Sequence, residues 1–282
     1  MVRRGWRLSA VAGVALLAAV CASGPASPDT GVRTGSDLGP LPADRYDYTG
    51  QDYQRDRRAS ALLVRQCMAG HGHRDFPLDP RSPYSSIGTI VLAGTDYGVL
   101  DPDVARRWGY GWDPAKHPSL TPKGRRMTNA EYADWPACGA EANRRLMRGI
   151  DVKRDWGYAS IRGVEVDKAV MRDPRLRAAW AVWSNCLVQR GFPRYPDPVA
   201  AYADKAWKRD RDANTRHTER ERATAAADVT CKRRHHTAEL WHTVKAEKQA
   251  ADIALHRARY AAGLRALRTY RSNITEVLDE LS

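Results

Sequence analysis

Phenylalanine occurs only twice in this chain, and after residue 26 no apolar run is long enough to span a bilayer. Nine Trp and twelve Tyr supply the aromatic bulk of any core instead. No pair of cysteines has the Cys-x-x-Cys spacing, so the common zinc-ribbon and thioredoxin-type arrangements are absent. There is no Gly-x-Ser-x-Gly elbow, no His-Glu-x-x-His helix and no phosphate-cradling glycine loop. After Pro198 there is no further proline, and Gly263 is the only glycine left before the C-terminus. That stretch therefore lacks the usual helix breakers.

The N-terminus has a recognisable grammar. Arg3, Arg4 and Arg7 precede an apolar run over residues 8–20, followed by small residues with cleavage points after Ala22 or Ala26. Residues 1–26 thus read as an export signal. Cys21 is a candidate lipidation site, although Ala18 and Val20 stand where a lipoprotein signal has leucine and a small residue. The alternative is that it leaves with the signal. Residues 27–51 are rich in Gly, Pro, Asp and Thr and read as a flexible tether. The formal charge is +13, and it falls to +10 once the three arginines of the signal are removed. Outside the cell such a charge favours anionic partners: wall polymers, lipid headgroups or nucleic acid.

Four cysteines then remain: Cys67, Cys138, Cys186 and Cys231. An even number in an exported chain points to two disulfides with three available connectivities. An internal echo favours one of them. Cys67-Met68-Ala69-Gly70-His71-Gly72 and Cys186-Leu187-Val188-Gln189-Arg190-Gly191 each look like the end of a helix closed by a left-handed glycine and followed by a proline-rich exit. One bridge per half, Cys67–Cys138 and Cys186–Cys231, follows, each contributing about 3–4 kcal/mol by chain entropy.

The fold expected is mainly α, with two disulfide-linked helical halves, residues 52–150 and 151–282, a loop-rich middle and a long C-terminal helix. The first helix runs over residues 52–70 with Ala59, Leu62, Leu63 and Cys67. Asp101-Pro102 starts a second helix that stops at Gly109. Thr128-Asn129 starts a third, through Cys138 and Leu146, unless Pro136 delays its beginning. Asp173-Pro174 starts the clearest one, with Leu176, Trp180, Trp183 and Leu187 as one stripe. Residues 78–123 are irregular, with a short apolar run at 87–91. From about Ala223 one very long helix is expected, either a rod or a hairpin broken near Gly263. Its seam is Leu240, Val244, Ala251, Leu255, Ala258 and Ala262, then Leu267, Tyr270, Ile274, Leu278 and Leu281.

The residues Ala178-Ala179-Trp180, Trp183-Ser184-Asn185-Cys186-Leu187, Gly191-Phe192 and Ala227-Asp228-Val229-Thr230-Cys231, followed by a long helix, form a pattern. It resembles a group of secreted proteins and lipoproteins of actinobacteria with a Trp-x-x-Cys-Met-x-x-x-Gly-aromatic segment and an Ala-Asp-x-x-Cys helix. The segment from Tyr97-Gly98 to Gly109-Tyr110 is similar to that group as well, and Leu187 stands in place of the group's Met. The resemblance implies an exported envelope protein and carries over no catalytic residue.

Candidate chemistry is sparse. His235, Glu239 and His242 are spaced for one helix face and are weak candidates for zinc ligands, with His71 and His73 as supplementary donors. Asp96, Asp101 and Asp103 lie where a carboxylate pair for a hydrolase could sit. Tyr97-Gly98, Gly109-Tyr110-Gly111-Trp112 and Trp156-Gly157-Tyr158 are aromatic turns suited either to a groove or to core packing. Lys232-Arg233-Arg234 with Arg216, Arg220 and Arg222 forms a basic segment, interleaved with Glu219, Glu221 and Asp228. That mixture does not read as a specific nucleic-acid site. The sequence therefore reads as an extracytoplasmic, non-enzymatic envelope protein without a cofactor. It would bind an anionic wall polymer, a membrane surface or a protein partner, the last through its C-terminal helix, and a homo-oligomer is one form of that. The alternative is an extracytoplasmic hydrolase using the loop-rich middle.

Overall fold

A computed structural model describes residues 32–81, 97–113, 115, 124–210 and 214–282. The signal with Cys21, residues 27–31, the apolar run at 87–91 and Asp96 lie outside the described residues. The protein is mainly helical. In order, the helices are α1 (Gly50–Gly70), α2 (Pro102–Trp108), α3 (Asn129–Leu146), α4 (Tyr158–Met171), α5 (Pro174–Gln189), α6 (Pro198–Tyr202), α7 (Glu219–Arg234), α8 (Thr237–Leu255) and α9 (Arg257–Leu281). Among the described residues there is no strand, only an isolated pairing of Arg81 with Arg126.

The helix starts follow from their caps. Thr49 with Asp52, and Thr128 with Glu131, form reciprocal capping boxes, and Asp101 and Asp173 cap helices that open with proline. The Thr128 box fixes the first turn of α3 so firmly that Pro136 sits within the helix, and the delayed start does not occur. Both cysteine-bearing helices end in the same way. Gly72 (φ 91°) and Gly191 (φ 83°) are left-handed. His73 N–H donates to Met68 O, and Phe192 N–H donates to Leu187 O. This is the Schellman closure that the echo suggested.

Disulfides join Cys67 to Cys138 and Cys186 to Cys231 across 71 and 45 residues. Each stabilises by about 4 kcal/mol on the chain-entropy model. The first ties α1 to α3, and the second ties α5 to α7.

The packing exchanges elements across the boundary near residue 150. One core joins α1 and α3 to Tyr270, Ile274 and Val277 of α9. A second joins Ala105 of α2 and Tyr110 to α5, α6 and α7. A third joins Tyr97 and Leu100 to α4, α5 and α8. The C-terminal helix thus completes the first half, while α2 completes the second. Asn273 seals the first exchange, its Nδ2 donating to the carbonyls of Leu146 and Arg148 at 2.8 and 2.9 Å.

The long terminal helix is a succession of three. It breaks at His235–His236, where His236 is left-handed (φ 48°), and again at His256, while Gly263 stays inside α9. The break at His256 also corrects the expected seam. Val244, Leu267, Tyr270 and Ile274 are buried, but Ala251 and Ala258 are exposed and Leu255 is 78% exposed. In α8 the buried face is Trp241, Val244, Lys245 and Gln249 instead. Lys245 is used there because Asp167 of α4 pairs with it at 3.2 Å.

Residues 32–49 are not a free tether. Arg33 pairs with Asp101, Val32 O accepts from Arg233, Gly39 O faces His242 Nε2, and Ala43 N–H donates to Gln249. Polar composition misleads here because the backbone of this strip is satisfied by side chains of α7 and α8. Tyr46 is buried against Tyr260 at 4.9 Å.

Asp228 and Lys232, one turn apart on α7, are both fully buried. Asp228 Oδ1 accepts from Trp183 Nε1 of α5 at 2.9 Å. Its Oδ2 accepts from the Tyr110 hydroxyl at 3.2 Å and from Lys232 Nζ at 3.0 Å. Lys232 Nζ also donates to the carbonyls of Tyr97 and Val99 at 3.1 and 3.2 Å. Burial pushes the Asp228 carboxyl above its ordinary range, against the pull of Lys232. Two turns before Asp228, Glu221 Oε1 accepts from Tyr110 N–H at 2.9 Å, and a Cβ at Gly109 would approach that oxygen to 2.5 Å. Glycine is therefore required there.

Two predictions follow from these charges. Lys232→Met strands a buried carboxylate and is expected to cost about 3–5 kcal/mol in urea unfolding, with much of it recovered in Asp228→Asn/Lys232→Met; a single-variant loss under about 1 kcal/mol contradicts the network. Acid acts through three other carboxylates. Asp52 with Arg271, Glu131 with Arg125 and Asp173 with Arg175 are each held down at about 2 by their arginine partners. Their stabilisation is present above the unfolded value of about 4 and is lost as pH falls toward about 2. Asp228 has the opposite sign and offsets part of that loss. The thermal midpoint should fall steeply over this window, and a midpoint unchanged down to about pH 2 would show that these pairs do not act as assigned.

Candidate functional site

The chain between α3 and α4 carries Trp156-Gly157-Tyr158, the last of the three aromatic turns. Gly157 is left-handed (φ 70°) and stands at the N-cap of α4, which has no side-chain cap and no acid in its first turn. The first-turn amides are therefore not capped from within the helix, where the helix dipole favours negative charge. That turn opens on a cleft of about 210 Å³ lined by Tyr46, Tyr48, Asp155, Trp156, Tyr158 and Leu267. The volume is below the roughly 300–1,000 Å³ of sites that enclose a whole small molecule, and it suits one unit of a longer chain.

The cleft is held by the hinge between α8 and α9. Trp156 packs on Tyr270 at 4.6 Å and meets Tyr48 edge-on at 6.4 Å. Tyr158 meets Tyr260 edge-on at 5.5 Å. α9 passes beneath at Gly263, where a Cβ would lie at ordinary contact distance, 3.4 Å, from the Asp155 carbonyl.

Its rim is basic. The Arg45 guanidinium lies over the Tyr46 ring at 4.7 Å, and that of Arg259 lies over the Tyr158 ring at 4.8 Å. Arg154 grips Asp155 with two hydrogen bonds at 2.8 and 2.9 Å. Asp155 is buried, and its carboxyl is held below the usual carboxylate range by Arg154 foremost and by the charges of Arg259 and Arg265. Aromatic faces, first-turn amides without a side-chain N-cap and the Asp155 carboxylate thus line one opening, with guanidinium groups stacked beside its rings. This can take a polar unit with an apolar face and a negative charge.

A second cleft, about 410 Å³, lies between α1, α3 and the Phe76–Pro80 strip, with Asp56, Ser60, Trp135, Asn143 and Tyr270 in its wall. The Arg57–Asp79 ion pair at 3.1 Å closes part of its charge, and Asp56 accepts from the Tyr270 hydroxyl at 2.8 Å.

The other nominated residues have structural posts. Tyr97, Tyr110 and Trp112 are buried core residues, so the first two aromatic turns line no groove. Asp101 is the α2 cap and pairs with Arg33; Asp103 pairs with Arg33 and Arg106. Burial pushes the Asp101 carboxyl up, but Arg33 and the α2 amides outweigh it and leave it low; Arg33 likewise lowers Asp103. Neither has the raised value a general acid needs. The break between α7 and α8 takes His235 off the face of Glu239 and His242. It is His236 that meets Glu239, at 3.2 Å, while His242 faces Gly39. His73 pairs with Asp134 at 2.8 Å, and His71 sits beside the Cys67–Cys138 bridge. In the basic segment of α7, Lys232 and Glu221 are buried and Arg233 and Arg222 bind backbone carbonyls, which leaves Arg216, Arg220 and Arg234 exposed. Sequence reading missed Arg45, Tyr46, Tyr48, Arg154, Arg259 and Arg265 as site residues. Only the neighbourhood of Arg154 and Trp156 carried a local signal.

Comparison with family models, with curated proteins and with solved structures finds no match for this chain.

Proposed function

We propose that the protein is an exported, non-enzymatic component of the cell envelope that binds an anionic wall polymer, a phosphate-bearing glycan or polyol, at the cleft where α4 begins. The observation that carries this reading is the coincidence of Tyr46, Tyr48, Trp156 and Tyr158 with the first turn of α4 and with Arg45 and Arg259 stacked on two of those rings. Ring faces pack against the C–H face of a sugar or polyol. The amide donors and guanidinium groups take its phosphate. A positive net charge raises the local concentration of such a polymer and speeds encounter. The leader-like sequence of residues 1–26, two disulfides and the resemblance to secreted actinobacterial proteins support the compartment. No helix among the described residues is long and apolar enough to cross a membrane.

The protein is expected to sediment with purified wall sacculi at low ionic strength. The binding should fade as salt rises and the screening length shortens to about 10 Å at 0.1 M. Arg259→Glu/Arg265→Glu should weaken it at least tenfold without altering the circular dichroism spectrum. Failure to sediment at low salt, or equal sedimentation of that variant, would reject the proposal.

A further inference from the structure

We propose that Cys67 and Cys138, once reduced, form with His71 and Glu141 a site for a thiophilic divalent cation of the Zn²⁺ type. The fold already gathers the donors. Cys67 and His71 stand four residues apart at the end of α1, and Cys138 and Glu141 stand three apart on α3. The two sulfurs and an imidazole nitrogen of His71 all lie within 4.8 Å of one another. Glu141 Oε2 is 3.6 Å from Cys67 Sγ. Two thiolates, an imidazole and a carboxylate make a tetrahedral zinc set. Zinc–sulfur bonds of about 2.3 Å need the sulfurs about 3.8 Å apart. Side-chain rotation across a Cα separation of 5.6 Å can supply that.

The two bridges differ in the way this requires. Cys186 and Cys231 are both buried, and no group of metal donors forms around them among the described residues. Cys138 is buried, but Cys67 is half-buried and His71 and Glu141 are exposed, so reductant and cation can reach the first bridge from solvent on the Cys67 side. The chemistry balances with a dithiol as reductant. The dithiol gives two electrons and two protons to the Cys67–Cys138 bond and becomes a disulfide. The cation then binds both thiolates and releases the two protons to water. Helices α1 and α3 keep their contact meanwhile through Ala59, Leu63, Met68, Ala142 and Leu146.

The test treats the secreted protein with graded phosphine reductant under nitrogen and maps free thiols by alkylation and mass spectrometry. It then titrates Co²⁺ as a spectroscopic probe. Cys67 and Cys138 should become alkylatable before Cys186 and Cys231. One Co²⁺ per chain should give thiolate charge-transfer and tetrahedral d–d bands, displaced by one Zn²⁺. The oxidised protein should give none. His71→Ala should weaken Zn²⁺ binding at least tenfold, and Glu141→Gln by less. The proposal is overturned if the reduced protein keeps its helical circular dichroism but shows no bands. It is equally overturned if Cys67→Ser/Cys138→Ser gives the same bands, or if reduction of this bridge unfolds the chain.

Discussion

Asp228 is the group on which the arrangement of the second half depends. A carboxylate with no access to water is tolerable only when its lone pairs are occupied and its charge is balanced. Here the occupants come from far along the chain: Trp183 from α5, Tyr110 from the turn after α2, and Lys232 from α7 itself. Lys232 in turn holds the carbonyls of Tyr97 and Val99. One residue thereby sets the position of the α2 segment against α5 and α7, next to the Cys186–Cys231 bridge. An apolar residue could fill the volume, but it would not specify which backbone carbonyls lie above it.

The first half is fixed differently, by closure from the far end of the chain. α9 lays Tyr270, Ile274 and Val277 over α1 and α3, and Arg271 binds Asp52 at the N-terminus of α1. The candidate cleft sits where these two systems meet, at the hinge between α8 and α9 and the start of α4. Its rings are braced on Tyr260 and Tyr270, and its arginines are left at the surface.

Much of the fold was legible because its signals are local. Asp173-Pro174 and the Leu176, Trp180, Trp183, Leu187 stripe define α5 without reference to anything distant, and all four stripe residues are buried. The Cys-to-Gly echo likewise anticipated two Schellman ends and the pairing of the cysteines. What failed depended on tertiary partners. Residues 32–49 look like a tether because their polar backbone is satisfied by α7 and α8, more than 180 residues later. The seam through Ala251, Leu255 and Ala258 assumed a continuous helix, and His256 interrupts it. Lys232 looked like part of a basic patch, since nothing beside it in sequence shows that Tyr97 and Val99 will cover it. For the same reason only Trp156 and Tyr158 of the cleft could be nominated; Tyr46, Tyr48 and Arg259 join them through folding alone.

The most direct test of the cleft is a two-dimensional NMR titration of the ¹⁵N-labelled protein with a short poly(polyol phosphate). The account predicts saturable shifts at the Trp156 indole and at the amides of Tyr158, Ala159 and Ser160, with the resonances of Trp183 and Trp207 unmoved. Absence of shifts at these positions, or saturable shifts confined to the exposed arginines of α7, would contradict it.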